Sequence, residues 1–472
     1  MTQVSLIKGE HVDNNTDYRD SLAVNMYAIP RDILGARGYM INYYGLTDFA
    51  KGKGIDRGGK WVSRDGFQNH YRVSGDKFIS ISATGVVTEL GTIPGTDQCS
   101  ITYSFNNVAI VGNGKLYYYS PAKGFRLMTD VDIGSPIDIV WVDGIFFLTD
   151  GEDIYHSDAL DEEVYLNVAF GNAQFVPDSS QGLGQNEDNE VIVFGSFSKE
   201  NFMNVGTGAF QFQRIARKAQ KIGILGTHCK KEMNSRWYIL GRRLETSPSF
   251  HVLSIGEENN IGTRETDLIL AKYTDDELSI STVDAFVDAH TKMVIFHLPR
   301  HTLMYNETIA ETMQSNDSAW TILQEGYNDE TIKPWRGRSF VRDKRNGKWL
   351  AGDKYDNSIG HIDESTCTNY GEICQWELFT PLLKLEALSV DFMEIETIPG
   401  IAPDSDATVS FSTTQNGRNY SQEYTKLYGE TFDYNQRFIM RRLGYTRHWV
   451  GYKFKGSSRS RMSFAYLNIE AS

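Results

Sequence analysis

The sequence predicts an all-β protein: a β-propeller of six or seven four-stranded blades, followed by a C-terminal β-sandwich or jelly-roll-like domain. Three observations predict it. A five-residue phrase, apolar and closing on glycine in its clearest copy Val191-Ile192-Val193-Phe194-Gly195, recurs with starts at Tyr71, Val108, Ile145, Val191, Trp237, Met293 and Trp349. The starts lie 37, 37, 46, 46, 56 and 56 residues apart, the period of units that bury their apolar faces only by stacking around an axis. Each copy follows a turn-prone cluster: Gln68-Asn69, Asn106-Asn107, Asp143-Gly144, Asp188-Asn189, Asn234-Ser235, His290-Thr291 or Asn346-Gly347. After about Cys374 the phrase stops, and strands with one apolar face take over. The competing all-β arrangement is a sandwich with evenly spaced strands.

Taken in order, residues 1–60 read as an N-terminal arm leading into the first blade. Asn14 to Tyr18 is polar, and Arg19 to Leu34 holds a weak helical stretch broken at Pro30. The glycine-rich KGKGIDRGGKW lacks the spacing and the Lys-Ser/Thr ending of a phosphate loop, so Gly52-Lys53-Gly54 reads as plain loop. Residues 61–375 carry the propeller. The stretch from Ile101 to Met128 spells one unit: ITYSF, a turn at Asn106-Asn107, VAIV, a turn at Gly112-Asn113-Gly114, LYYYS, a loop, and FRLM. Pro177 to Glu190 reads as a polar loop between blades, and the longer late units place their extra length at 256–267 and 306–318, in rim loops where partners bind. The last unit has the option of borrowing a strand from the start of the chain to close the circle. Residues 376–472 form the C-terminal β-sandwich, with runs at 383–396, 407–414, 438–445 and 449–456 split by Pro399-Gly400 and Asn416-Gly417. Its basic residues, Arg441-Arg442 to Arg447-His448 and Arg459 to Arg461, read as a solvated face or subunit contact, with a DNA-facing ring as the sharper alternative.

Composition narrows the function. The 472 residues exceed what one core supports, so two or three domains are expected. No apolar run is long enough to cross a bilayer, and MTQVSLIKGEH lacks the apolar core of a secretion signal, so a cytoplasmic protein is expected. A net charge of −14 argues against a broad basic grip on nucleic acid but suits a lumen through which a duplex slides. Cys99, Cys229, Cys367 and Cys374 are too scattered for a disulfide framework and read as reduced thiols, and a pairing of His228 with Cys229 fails on geometry, because adjacent residues in a strand point to opposite faces. No nucleophile elbow, metalloprotease helix, phosphate loop or paired CxxC is present, so no catalytic, cofactor-binding or metal residues are assigned. The propeller sialidases, with the wider class of glycan hydrolases and lectins, are the enzymatic competitor. Their Ser-x-Asp-x-Gly-x-x-Trp turn finds only Ser412 to Tyr420 here, without the aspartate and outside the repeats.

Several stretches, in order and spacing, resemble the packaged-DNA stabilisation proteins that form the tail hub, or nozzle, of short-tailed enterobacterial phages. They are Tyr44 to Phe49, Gly54-x-x-Arg57-Gly58, Val73 to Phe78, Phe175 to Asp178, Glu190 to Gly195 and Glu200 to Phe202. Tyr44 departs from the family, whose opening has Pro before Gly-Leu. The resemblance implies a non-enzymatic homohexameric ring of the virion tail, made and assembled in the host cytoplasm. It implies docking beneath the portal-adaptor ring, closure below by the tail needle, flanking tailspike trimers, and double-stranded DNA passing through the lumen without sequence specificity. Retention of the packaged genome until ejection is the implied role, and no catalytic residue or cofactor comes with it.

Overall fold

In the computed structural model, residues 2–8, 20–31, 35–64, 67–130, 132–171, 173, 175–206, 210–288, 291–327, 331–397, 407–429, 437–459 and 461–472 are described. The polar Asn14 to Tyr18, the turn residue His290 and Pro399-Gly400 lie outside the described residues.

Seven sheets succeed one another, and every copy of the phrase falls on the second strand of one of them. Blade 1 (56–92), blade 2 (100–127), blade 3 (138–171) and blade 4 (180–214) are four-stranded antiparallel meanders. In blade 5 (223–260) two short strands, Gly223–Ile224 and Lys230–Met233, share the first position against Arg236–Arg242. Blade 6 (282–325) is again a meander. Blade 7 takes three strands from 337–363 and its fourth, Gly45–Lys51, from near the start of the chain. The first strands abut around the axis, and the ring closes where Gly337–Arg342 of blade 7 meets Asp56–Arg64 of blade 1. Apolar alternation explains the layers: Val108, Ile110 and Tyr117 pack toward blade 1, while Ala109, Val111 and Tyr118 pack toward blade 3. Second strands are therefore apolar on both faces, which is why the phrase is a continuous run.

Pro177 to Glu190 is not a loop, because Ser180–Gln185 is the innermost strand of blade 4. It looks polar because it lines the narrow axis. A Cβ at Gly182 would meet Lys230 Nζ at 2.8 Å, and one at Gly184 would meet the Trp237 ring at 2.6 Å. The glycine-rich stretch before blade 1 is likewise largely strand, Asp56–Arg64. The longer late units place their extra residues in short helices, Arg264–Leu270, Asp275–Ser279 and Glu307–Met313.

The expected helix within Arg19 to Leu34 is instead strand at Ala23–Val24 and Met26–Ile29. Burial decides it, since Met26, Tyr27 and Ala28 are almost wholly covered and pair with Tyr39–Asn42. The segment before residue 61 is thus more than a lead-in arm. Thr2–Ser5 pairs with the last strand, Ser463–Ala471, and Ala23–Val24 lies between the outer strand of blade 6, Trp320–Glu325, and Gln375–Phe379 of the C-terminal part. One sheet therefore runs continuously from blade 6 into the sandwich. A second sheet, ordered Met26–Ile29, Tyr39–Asn42, Ser463–Ala471, Leu388–Thr397, Phe438–Thr446, faces it across a core holding Trp376, Met393, Phe454 and Leu467. Tyr44 sits in an aromatic nest, 5.5 Å from the rings of Tyr27 and Tyr43 and 5.8 Å from Phe286, with the Arg461 guanidinium 4.9 Å above it. Packing thus holds this turn without proline.

Leu46 carries the closing strand into the core beneath blades 6 and 7, where it is 1% exposed. Leu46→Ala is expected to cost about 3 kcal/mol, read as a lower denaturant midpoint with an unchanged slope.

Candidate functional site

The antiparallel order fixes where loops go. Turns between first and second strands, and loops between third and fourth, leave one face, here the upper; turns between second and third strands leave the lower. The axis between the faces opens into a cavity at each end. Its upper mouth is a cavity of about 610 Å³ lined by Lys60, Arg64, Phe105, Trp141, Lys231 and Trp237. Its lower mouth, about 480 Å³, is lined by Thr96, Asp97, Asn113, Ile280 and Arg338.

Three buried aspartates on first strands organise the wall. Asp138 of blade 3 accepts from Ser100 Oγ of blade 2 at 2.5 Å, from Leu183 N of blade 4 at 2.8 Å and from Lys230 Nζ of blade 5 at 2.7 Å. Burial alone would raise this carboxyl, but Lys230, His228 and the Ser100 bond together hold the group below its ordinary value. Asp284 of blade 6 accepts from Ser339 N of blade 7 at 2.7 Å, lies 3.1 Å from His297 Nε2 and faces Lys231 of blade 5 at 4.0 Å. Its carboxyl is also held low against the effect of burial, by the His297 bond first. Asp56 of blade 1 pairs with Arg72 of its own blade, while Arg338 of blade 7 donates to its backbone carbonyl. Asp138 and Asp284 thus tie their blades to neighbours, and the Asp56 carboxylate reaches blade 7 through Arg338 Nε at 3.6 Å.

The same burial lowers the pKa of bases. His228 and His297 fall to about 4, and Lys354, crowded by the wall and by Arg338, falls to about 7. Asp284 and His297 form a carboxylate-imidazole pair, but no hydroxyl or thiol hydrogen-bonds His297 among the described residues, so the pair lacks a nucleophile to activate. Among the described residues no cluster of His, Cys, Asp and Glu could hold a metal ion. The wall is built to hold blades together.

The sequence-predicted residues scatter. Lys53 of the glycine-rich turn pairs with Glu89 at 2.9 Å. His228 and Cys229 lie in a turn, not a strand, and the Cys229 thiol is buried, donating to Ser281 O at 3.3 Å, with its pKa pushed up to about 12. Cys99 and Cys374 are also buried and Cys367 is half-buried. The basic residues of the sandwich divide. Arg461 is a bolt, donating to Asn42 O at 3.2 Å and to Glu364 O at 2.5 Å, whereas Arg441, Arg442, Arg447 and Arg459 are exposed. Sequence reasoning missed the aspartate wall. Its signal was an acid inside a short apolar run just before the phrase, PIDIV and TVDAF, which a solvated strand would not need.

Glu325 ends the outer strand of blade 6, where the sheet passes into the sandwich. It is 4% exposed and accepts from Asn369 Nδ2 at 2.7 Å. Burial, only partly opposed by Arg336, lifts its pKa from 4.5 to about 7.

Residues 2–367 match the family described as Bacteriophage P22 Gp10, beta-propeller, and residues 375–472 match the one described as Bacteriophage P22 Gp10, beta-sandwich. The tail hub protein gp10 of Salmonella phage P22 is 28% identical over 496 aligned residues, spanning 99% of this chain and 98% of that protein. Among solved structures, a streptogramin B lyase aligns over 68% of this chain and 98% of its own at 13% identity, with a TM-score of 0.43. Virginiamycin B lyase of Staphylococcus aureus aligns over 65% and 94% at 11% identity, with a TM-score of 0.41. Likeness this loose carries no argument about activity.

Two outcomes are expected. Asp138→Ala strands the buried Lys230 charge and should cost about 3–5 kcal/mol, whereas Asp188→Ala, at an exposed pair with Lys218, should cost under about 1 kcal/mol in the same denaturant titration. Glu325 is protonated more readily folded than unfolded, so its contribution is full below pH 4.5 and fades as pH rises to about 7. Glu325→Gln should remove a stability slope worth about 3 kcal/mol across that window, seen in unfolding midpoints from pH 4.5 to 8.

Proposed function

This chain belongs to the bacteriophage P22 Gp10 family, and on that premise we propose that it is the structural hub of a short phage tail. The observation that carries the proposal is the match of two consecutive family regions to nearly the whole chain, in the same order and with the same two folds. The relative named as a tail hub aligns over 99% of this chain and 98% of its own length.

The chain docks as a homohexameric ring below the portal-adaptor complex, with the tail needle closing the channel and tailspike trimers at its flank. It retains packaged DNA and becomes the conduit for ejection, after assembly in the host cytoplasm into the virion tail. Its role is mechanical, not enzymatic. A closed ring of seven sheets cross-braced by buried carboxylates resists deformation, which suits a body that holds a pressurised genome. A net charge of −14 gives the ring little grip on phosphate, so sealing falls to a plug and the lumen stays slippery.

Electron microscopy of heads bearing portal and adaptor, incubated with the purified chain, should show a six-fold ring beneath the adaptor. The same preparation should leave host polysaccharide uncleaved. Failure to join such heads, or turnover of polysaccharide, would contradict the proposal.

A further inference from the structure

The negative charge of the chain is not spread over it. Residues 127–198 hold fifteen Asp and Glu and no Lys or Arg, and outside that stretch 47 basic side chains face 46 acidic ones. A mirror-image stretch lies in the sandwich: residues 434–469 hold eight Lys and Arg and no Asp or Glu. Random mixing does not separate charge this way, and each stretch has a distinct place in the fold.

The acidic stretch builds blade 3 and the first part of blade 4. Some of its carboxylates are used inside the molecule, Asp138 by Lys230 and Glu163 by Lys123 and Arg126. Asp143, Asp158, Asp161 and Glu187 have no Lys or Arg partner among the described residues. They sit in turns of the upper face, on the first-to-second turns of blades 3 and 4 and on the third-to-fourth loop of blade 3. That loop is braced from within, since Asp158 accepts from Leu160 N at 2.7 Å and Asp161 from Glu163 N at 3.0 Å. The bracing holds Leu160 out at 98% exposure, with Val164 39% exposed beside it. An apolar tip ringed by unpaired acids is a costly way to meet water.

The basic stretch shapes the free edge of the sandwich. Among the described residues Phe438–Thr446 pairs only with Leu388–Thr397, and Tyr424–Leu427 only with Thr408–Thr414, so each ends its sheet there. Lys426 Nζ reaches from one edge strand to Ile439 O of the other at 2.5 Å, so the two edges form one surface. A bulge opposite Val390 and Phe392 puts Arg442 at φ +60°, and the two consecutive residues Arg441 and Arg442 are both exposed, where a regular strand would bury one. Tyr424, Leu427 and Tyr445 are each more than half exposed there. Arg437, Lys453 and Lys455 have carboxylate partners, whereas Arg441, Arg442 and Arg447 have none among the described residues.

These surfaces lie on opposite sides of the molecule. The sandwich continues the sheet of blade 6, and blade 3 stands three places away in a ring of seven. No ion pair joins the two stretches within one chain among the described residues, so neither can satisfy the other internally. A contact between a patch on one side and its complement on the other is head-to-tail, the kind that closes into a ring.

We propose that the basic, aromatic edge of the sandwich docks onto the acidic upper rim of blades 3 and 4 of the next copy of this chain, with Leu160 seated among Tyr424, Leu427 and Tyr445. This rests on the ring proposed above and names its contact. The segregated charges orient each subunit on approach and forbid edge-to-edge and rim-to-rim pairing, where like charges would meet. The edge arginines are thereby spent on protein and not on DNA.

The test is charge exchange, read as ring occupancy on adaptor-bearing heads at a fixed chain concentration. Arg441→Glu with Arg447→Glu, and separately Asp161→Lys with Glu187→Lys, should each lower occupancy about tenfold or more, while the chain carrying all four changes recovers to within about twofold of wild type. All four side chains are exposed, and an unchanged unfolding midpoint for each variant checks that the fold survives. A wild-type ring that tolerates either double reversal, or a fourfold variant that is not rescued, overturns this contact alone. A wild-type chain that forms no ring overturns the ring and the contact together. Salt-dependent duplex DNA binding by wild type, lost on Arg441→Glu with Arg447→Glu while rings persist, would assign the edge to nucleic acid instead.

Discussion

A blade of four strands is apolar on both faces and cannot exist with one of them bare, so the structure depends on a ring with no ends. Here that requirement is met by a strand from the wrong end of the chain. Gly45–Lys51 completes blade 7 by pairing with Ser358–Asp363, which joins residues some three hundred positions apart. The loop-closure cost is offset by burial on both sides, since Leu46 enters one core cluster and Ala50 another. Closure also decides the fate of everything before it. With residue 45 pinned at the upper rim, the described strands before it are held beside blade 6 and the sandwich, where Ala23–Val24 bridges the two and Thr2–Ser5 lines up with the last strand. Propeller and sandwich therefore share a sheet and a core, which makes them a poor pair of hinged domains and a good single block.

Electrostatics works at two depths. Along the axis carboxylates and cations are desolvated and matched, because an unmatched charge there would cost several kcal/mol, and the match of Asp138 with Lys230 crosses between blades. At the rim and on the sandwich edge, charges are left unmatched and sorted by sign. Inner pairing secures the block, and outer sorting is what a block needs to find identical neighbours in one orientation. For a tail hub the first property resists load, and the second is what the proposed contact between copies draws on.

Much of the fold was legible because second strands are sandwiched between blades and read as unbroken apolar runs ended by a turn. The blade count stayed open at six or seven because the closing strand carries no local mark of its distant partner. Pro177 to Glu190 misled for a related reason. A first strand sits where the blade is narrowest, takes glycine and polar side chains, and so looks like loop. The segment from Arg19 to Leu34 has no strand periodicity strong enough to announce itself, and its structure is imposed by Tyr39–Asn42 and Trp320–Glu325. The basic run of the sandwich was visible, but the division depends on tertiary placement: Arg461 precedes the last strand and reaches Asn42 O and Glu364 O, whereas Arg441 lies exposed on an edge strand.

The central claim is that the ring and the sandwich are locked together through the early strand that completes blade 7. Native-state hydrogen exchange, followed by mass spectrometry on peptides covering 45–51, 358–363 and 463–471, tests it most directly. The account predicts that all three exchange together, at the slow rate of the global unfolding event. Rapid exchange of 45–51 while 358–363 stays protected would mean that the ring holds without its closing strand, and would contradict it.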